Sequence, residues 1–171
     1  MSGQRPNTTL TIRQIALFGM LGALTFGAKV AMAALPNIEP VSLMVMLFAV
    51  VFGLKGLYPV YLYVLMEVLL YGINLWNLNY LYIWLVLFLG AYAMRKLKSP
   101  LWFAALSGVF GLAFGLLCTP VYMAIGGFSY GIRWWMAGFA FDIPHGIGNL
   151  VIALLLFGPL RKLLTRLYKK I

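Results

Sequence analysis

Acidic residues are nearly missing from this sequence, and charges of either sign are scarce. Only 3 of its 171 residues are Asp or Glu and 9% are charged, whereas 64% are apolar. Soluble domains carry about 25% charged residues, so this chain has too little polar surface to coat a globule in water. The composition predicts that a lipid bilayer is its solvent.

Cysteine is equally scarce, since Cys118 is the only one. A single thiol excludes an internal disulfide and any CxxC metal or redox site, and we expect Cys118 to be a small buried residue. The GxxxxGK[ST] phosphate loop, the HExxH motif and paired carboxylates are also missing from the sequence. These absences predict a protein with no enzyme activity, no cofactor and no metal site.

Basic residues are present in number, because 13 Lys and Arg give a formal net charge of +10. They lie mostly at the ends of apolar runs, where membrane anchoring explains them better than nucleic-acid binding. With the N-terminus inside, eleven fall on the inner side: Arg5, Arg13, Lys55, Arg95, Lys96, Lys98, Arg161, Lys162, Arg166, Lys169 and Lys170. Only Arg133 then falls outside, while Lys29 lies within a span. Because Lys and Arg are retained on the cytoplasmic side of short loops, both termini are predicted to be cytoplasmic.

Proline, glycine and polar clusters divide the apolar sequence into six segments. These run from about Ile12 to Leu35, Val41 to Leu54, Tyr58 to Ile73, Tyr80 to Met94, Leu101 to Ile125 and Ala137 to Leu160. Residues 74–79 indicate a polar, aromatic turn, and residues 126–131 indicate a linker. A span needs roughly 20 apolar residues. We therefore predict an all-α integral membrane protein, with residues 1–171 forming one compact bundle of about six transmembrane helices.

Small residues recur every four positions along the first segment, at Gly19, Ala23, Gly27 and Ala31. On a helix these four residues share one face. Small residues allow close backbone approach, which favours helix association in lipid. The stripe predicts either packing within this bundle or docking to another membrane subunit. A similar set in the fifth segment, Ala104, Gly108, Gly111 and Gly115, predicts internal packing.

Lys29 lies in the outer part of the first segment, where a charge needs a partner. Intramembrane ionisable residues are costly and usually face the bundle interior. The three acids of the chain, Glu39, Glu67 and Asp142, are all candidate partners, and Glu67 is the one we predict. Either a structural ion pair or contact with a ligand would explain Lys29.

Asp142, His145 and Asn149 have the spacing i, i+3, i+7, which places them on one helical face of the sixth segment. Pro144 is compatible with two local structures. It is either an early helical residue with Asp142 as the cap, or a kink in a helix already begun. In both cases the polar groups point together, and His145 either contacts a ligand or hydrogen-bonds a neighbouring helix.

Aromatic residues gather at the predicted outer side. They are Trp76, Tyr80, Tyr82, Trp84, Tyr130, Trp134 and Trp135, and they accompany Asn37, Asn77, Asn79 and Arg133. Aromatic residues at an interface most often form a lipid-facing belt. A cavity that buries a flat ring also uses aromatic walls with a few polar groups. Both interpretations stay open for this set.

The combination of about six helices, the small-residue stripe from Gly19 to Ala31 and an outer loop after it resembles the substrate-binding S components of energy-coupling factor (ECF) vitamin transporters. The resemblance covers nearly the whole chain, although the stripe has glycine at two positions where the family motif has alanine. It implies a prokaryotic cell-membrane protein that binds a vitamin and docks through this stripe onto a transmembrane scaffold subunit driven by two ATPase subunits. The implied substrate-binding residues are Asn37, Glu39, Trp76, Asn77, Asn79, Tyr82, Trp84, Arg133, Trp134, Trp135, Asp142, His145 and Asn149.

The resemblance identifies the ligand less closely than it identifies the class of protein. The Trp134-Trp135 pair and the region from Phe141 to Asn149 look most like members assigned to cobalamin or related corrinoids. Pyridoxine or hydroxymethylpyrimidine, pantothenate and queuosine precursors are alternatives. Two other classes also remain, a small stand-alone secondary transporter and a non-transporting membrane assembly factor, although the missing inverted repeat weakens the first.

Overall fold

Helices account for nearly all of the chain in the computed structural model, which describes residues 9–35 and 37–171. Within this part of the chain there are seven α-helices, one 3₁₀ turn and no strand. The helices are α1 (Ile12–Ala31), α2 (Val41–Phe52), α3 (Leu57–Tyr71), α4 (Leu75–Ala93), α5 (Pro100–Leu112), α6 (Phe114–Gly126) and α7 (Phe128–Tyr168), and the 3₁₀ turn covers Gly53–Gly56. The all-helical class predicted from composition is confirmed.

Five helical stretches of the described chain are long and apolar enough to cross a membrane. They are Ile12–Ala31, Val41–Tyr71, Leu75–Ala93, Pro100–Gly126 and Phe128–Tyr168. Two of them contain more than one helix, because Val41–Tyr71 includes α2 and α3, and Pro100–Gly126 includes α5 and α6. The structure therefore agrees with a helical membrane protein, while its long apolar stretches number five rather than about six.

The Val41–Tyr71 stretch does not run straight. Gly53 has φ of +60°, a left-handed conformation that favours glycine. A Cβ atom at Gly56 would overlap the carbonyl of Phe48, although residues eight apart in a straight helix are separated by about 12 Å. The chain therefore reverses at this turn, and α2 and α3 are two short helices of 12 and 15 residues, packed closely where they meet.

Both predicted polar linkers were placed wrongly. Residues 75–79 form the start of α4, because the Oδ1 atom of Asn74 accepts a hydrogen bond from the Asn77 backbone N–H at 3.1 Å and caps the helix. The second linker ends at Gly127, with φ of +82°, and α7 begins at Phe128. Trp134 and Trp135 therefore lie on a helix. This helix has 41 residues and a length of roughly 60 Å, and it includes most of the basic tail.

Glycines bring α5 and α7 into close contact. A Cβ atom at Gly111 would lie 2.7 Å from the Gly146 Cα atom, and one at Gly108 would lie 3.1 Å from the Leu150 Cβ atom. The same two helices stack Phe103 on Phe157, with ring centroids 4.1 Å apart. The small residues of the fifth segment thus pack internally, as their spacing predicts.

The ends of the helices that carry most of the basic residues meet at one end of the bundle, here called the basic end. The Gln14 side chain donates to the Tyr168 hydroxyl at 3.1 Å, and Lys55 donates to Gln14 at 3.2 Å. Arg161 donates to the Arg95 carbonyl at 3.2 Å. The opposite end, here called the loop end, contains residues 37–40 and the start of α4.

Candidate functional site

Lys29 of α1 is paired with Glu67 of α3 near the loop end. The Lys29 Nζ atom lies 2.9 Å from both carboxylate oxygens of Glu67, and the Tyr80 hydroxyl accepts a longer hydrogen bond from Lys29 at 3.4 Å. The Glu67 side chain is only 3% exposed, whereas that of Lys29 is 25% exposed. Of the three acids open to Lys29, the structure selects Glu67.

Aromatic rings continue from this ion pair into the bundle. Lys29 lies over the rings of Tyr80 and Tyr63, at 5.1 Å and 5.9 Å from their centroids. Trp84 packs against both tyrosines, with centroid distances of 5.4 Å and 6.0 Å, and is fully buried. On the other side of Trp84 lies Phe114 of α6, at 6.1 Å. Ring faces of this kind suit a cation or a flat ligand.

His145 completes the cluster from α7. Its ring lies edge-on to Phe114 at 4.7 Å between centroids, and its Nε2 atom is 3.9 Å from a Glu39 carboxylate oxygen. The side chains of Lys29, Glu39, Tyr63, Glu67, Tyr80, Trp84, Phe114 and His145 are here called the polar cluster. Five helices, α1, α3, α4, α6 and α7, and the loop before α2 therefore meet at one place.

Asn149 lies one turn beyond His145 and connects α7 to α2. Its Nδ2 atom donates to the Ser42 hydroxyl at 3.0 Å. Both side chains are buried, with 1% and 0% of the residue exposed. This bond fixes the depth of α7 relative to the start of α2, next to Glu39.

Asp142 has a separate role one turn before His145. Its Oδ1 atom accepts a hydrogen bond from the Gly115 backbone N–H at 3.0 Å. Gly115 is in the first turn of α6, where backbone N–H groups have no partner within the helix. Because α7 begins at Phe128, Pro144 lies inside a helix already begun, and Asp142 caps a neighbouring helix instead of its own.

Several buried polar atoms near the cluster have no hydrogen-bond partner among the described residues. They are Trp84 Nε1, His145 Nε2 and Asn149 Oδ1. Burying a polar group without a partner costs free energy, so native proteins keep few such groups. The set contains both donors and acceptors, which could pair with the edge of a polar ring.

Glu39 is the titratable member that lies outside the spans. Burial raises its pKa from 4.5 to about 7, and Glu67 adds to the rise, whereas the nearby Lys29 charge opposes it. Its side chain is 15% exposed. The carboxyl group that faces His145 therefore changes its charge near neutral pH.

The loop before α2 covers the cluster. Asn37 has φ of +60°, and Ile38 packs on α7, where a Cβ atom at Gly148 would lie 3.2 Å from the Ile38 side chain. Trp84, His145 and Asn149 are all at most 5% exposed beneath it. The structure thus shows the cluster closed toward the loop end.

A second aromatic group lies beside the polar cluster. Trp134 stacks on Tyr122 at 3.8 Å between centroids and meets Trp76 edge-on at 6.1 Å. Trp76 also stacks on Phe114 at 6.5 Å, which joins the two groups. Trp76 is 47% exposed, so this group extends from the buried cluster to the surface.

Other predicted binding residues do not join the cluster. The side-chain amides of Asn77 and Asn79 donate to the backbone carbonyls of Gly72 and Leu75 at 2.6 Å and 2.9 Å. Tyr82 donates to the Leu117 carbonyl at 2.6 Å. These bonds fix the turn before α4 and its packing on α6. Arg133 is exposed and makes no hydrogen bond or ion pair to a described residue.

Sequence reasoning missed several members of the site. Two of them could have been suspected from sequence. Tyr63 is one helical turn before Glu67, so the two side chains share a helix face, and Ser42 is a lone hydroxyl in the apolar start of α2. No sequence pattern pointed to Phe114, because its position in the site depends on the break between α5 and α6. Within the described chain no three His, Cys, Asp or Glu side chains are grouped to hold a metal ion, and Cys118 is buried.

The small-residue stripe of α1 faces away from the bundle. Gly19, Ala23, Gly27 and Ala31 are all exposed. A Cβ atom at Gly19 or Gly27 would have no described atom within 4 Å, whereas one at Gly22, which packs on α3, would lie 2.8 Å from Leu62. Of the two interpretations of the stripe, internal packing does not apply to these glycines.

Comparison of the chain with known protein families, curated proteins and solved structures found no match.

Proposed function

We propose that this protein is the substrate-binding subunit of an ECF-type transporter, which captures a vitamin or related micronutrient at the loop end and relies on partner subunits for ATP-driven import. The observation that carries the proposal is the convergence of unpaired buried donors and acceptors, among them Trp84 Nε1 and His145 Nε2, with aromatic rings from four helices. Ligand sites in membrane bundles combine apolar walls with a few convergent polar groups.

The charges of the cluster favour a largely neutral, ring-containing ligand. Lys29 and Glu67 neutralise each other, and Glu39 titrates near neutral pH. The half-exposed ring of Trp76 then offers a stacking face beside the cluster, and the unpaired atoms offer hydrogen bonds to ring edges. Cobalamin or a related corrinoid is the first candidate, and pyridoxine, hydroxymethylpyrimidine, pantothenate and queuosine precursors belong in the same screen.

Orientation follows from the two ends of the bundle. Gln14, Lys55, Arg95 and Tyr168 meet at the basic end, and the acids lie away from it. Because Lys and Arg favour the cytoplasm, we place this end inside, with both termini, and the polar cluster beneath the loop on the outer side of a prokaryotic cell membrane.

Binding by the chain alone is the first test. The protein purified in detergent is analysed by mass spectrometry for a copurifying molecule and titrated calorimetrically with the five ligand classes. Trp84→Phe keeps a ring but removes the Nε1 donor, so we expect roughly tenfold weaker binding. Trp102→Phe at the basic end, where the residue is 58% exposed, is the matched control and should bind normally. If no ligand copurifies and none of the five binds, the proposal fails.

Docking is tested separately through the exposed stripe. Ala23→Leu should leave ligand binding unchanged but abolish uptake in cells that also express scaffold and ATPase subunits, because a bulky side chain prevents close helix approach. Leu24→Phe, at a neighbouring position that is already large, is the control. Uptake by the chain alone in liposomes, driven by an ion gradient, would instead indicate a secondary carrier.

A second candidate is a membrane assembly factor that transports nothing. The exposure of Gly19 and Gly27 favours it as much as it favours a transporter subunit, since both need a docking surface. The two differ at the polar cluster. An assembly factor would keep its partner when Trp84 is changed and would bind none of the ligands.

A further inference from the structure

Several basic side chains line a pocket at the basic end, which the proposed transport function does not use. The pocket has a volume of about 560 Å³ and lies between the start of α5 and the last turns of α7. Four cations, Lys98, Arg161, Lys162 and Arg166, contribute to its lining. Its size is in the range of small-molecule sites.

No acidic side chain balances these charges. The three acids of the chain are Glu39, Glu67 and Asp142. The nearest along α7 is Asp142, which precedes Gly158 of the pocket by roughly 24 Å of helix. Glu39 and Glu67 belong to the polar cluster at the loop end. The pocket is therefore a concentrated positive site without an internal counterion.

The backbone adds to the positive potential. Helix α5 begins at Pro100, next to Lys98, and its first turn contains no acidic residue. A helix N-terminus presents unpaired N–H groups and a partial positive charge. Of the four cations, Arg161 is held in place, because it donates to the carbonyls of Leu97 and Arg95 at 2.8 Å and 3.2 Å. The pocket wall is thereby fixed to the loop before α5.

The floor and surroundings of the pocket are apolar. Phe157 and Pro100 line it. Leu101 and Trp102 beside it, together with Leu155 and Leu163 on α7, are 50–64% exposed. Exposed apolar side chains of this kind face lipid in a membrane helix, and tryptophan favours the headgroup level. The cationic pocket thus opens at the boundary between headgroups and acyl chains.

We infer that this pocket binds the phosphate headgroup of an anionic phospholipid, with Lys98, Lys162 and Arg166 pairing the phosphate and Pro100 contacting the glycerol and acyl end. Basic pockets at this depth recognise anionic headgroups. A lipid satisfies the charge and the apolar surface together, whereas free phosphate satisfies only the charge. A specific lipid there would join α7 to the start of α5 at the membrane surface.

Native mass spectrometry of the intact protein tests this inference. The protein in detergent is titrated with phosphatidylglycerol or phosphatidylcholine at physiological salt. The double variant K162Q/R166Q removes two exposed cations, and we expect its affinity for phosphatidylglycerol to fall roughly thirtyfold, from about fivefold per charge. The double variant K169Q/K170Q loses the same charge from the tail outside the pocket and should bind as the wild type does.

Three results would overturn the inference. Equal loss in both double variants would mean that the tail attracts lipid without a defined site. Equal retention of phosphatidylcholine and phosphatidylglycerol by the wild type would remove the headgroup specificity. Displacement of bound lipid by millimolar inorganic phosphate would make the pocket a free-phosphate site. Thermal unfolding of each variant checks that the fold is intact.

Discussion

The carboxylate of Asp142 on α7 accepts a hydrogen bond from the backbone N–H of Gly115 on α6 at 3.0 Å. A carboxylate at a helix N-terminus satisfies an unpaired N–H group and interacts favourably with the helix dipole. The contact explains how the stretch from Pro100 to Gly126 is divided at Ala113 within the bundle. It also holds Phe114 against His145, and so connects a structural cap to the polar cluster.

Removal of this cap should destabilise the protein. For Asp142→Ala we expect a loss of about 1–3 kcal/mol in the free energy of unfolding, because the Gly115 N–H is left buried without a partner. Asp142→Asn keeps an acceptor oxygen and should lose less. Thermal unfolding in detergent measures both. An Asn variant as unstable as the Ala variant would show that the negative charge, and not the acceptor, is what α6 requires.

The Lys29–Glu67 pair allows a double-mutant test. Glu67→Gln alone leaves the Lys29 charge without its partner in a largely apolar site, and we expect a loss of about 3–5 kcal/mol. Lys29→Met together with Glu67→Gln removes both charges and should recover most of that loss. Unfolding of the single and double variants gives the coupling energy.

A fully additive double variant would contradict the pairing. Lys96→Met serves as the control, because Lys96 is exposed at the end of α4 and should change stability little. The same variants distinguish the two explanations of Lys29. If the double variant is stable and still binds ligand, the pair is structural.

The membrane class and the broad division of the chain could be predicted from sequence, because they depend on composition and local pattern. The excess of basic residues at the end of the bundle that contains Lys55 and Arg95 could likewise be predicted from their positions along the sequence. Helix boundaries were harder. Asn74 and Gly127 look like loop residues, but each is followed at once by a helix; Asn74 caps α4 with its side chain, whereas Gly127 precedes α7 without a side-chain cap.

The site was predictable where its residues lie on one helix face or where a rare charge needs a partner, as Lys29 needs Glu67. Asp142, His145 and Asn149 share a face, and the structure buries all three. Their partners could not be found this way, since Gly115, Glu39 and Ser42 are distant in sequence and meet them only through packing. Asn77 and Asn79 are the opposite case. They were predicted to bind the ligand because they lie near the outer aromatic residues, but their amides donate to backbone carbonyls.

Glycine position, not glycine content, should decide the effect of adding a methyl group. Gly111→Ala should destabilise the protein by about 1–3 kcal/mol, because its Cβ atom would lie 2.7 Å from the Gly146 Cα atom and force α5 and α7 apart. Gly19→Ala is the matched control on the exposed face of α1, where we expect a neutral or slightly stabilising change. Thermal unfolding compares the two, and equal effects would contradict the close packing of α5 on α7.

The raised pKa of Glu39 predicts that stability falls as pH rises. Burial raises this pKa to about 7 from 4.5, so between these values the folded protein binds a proton that the unfolded chain has released. Stability then decreases with increasing pH across this range and levels off above it. The groups that face Glu39 are Lys29, Glu67 and His145.

Unfolding followed from pH 5 to pH 8 checks the effect. The wild type should lose several degrees of melting temperature over this interval, whereas Glu39→Gln, which keeps the shape but cannot ionise, should show a much flatter profile. A His145→Gln variant separates the two facing groups, because it should retain the wild-type slope if Glu39 is the titrating residue. If Glu39→Gln keeps the full pH dependence, the titration belongs to another group.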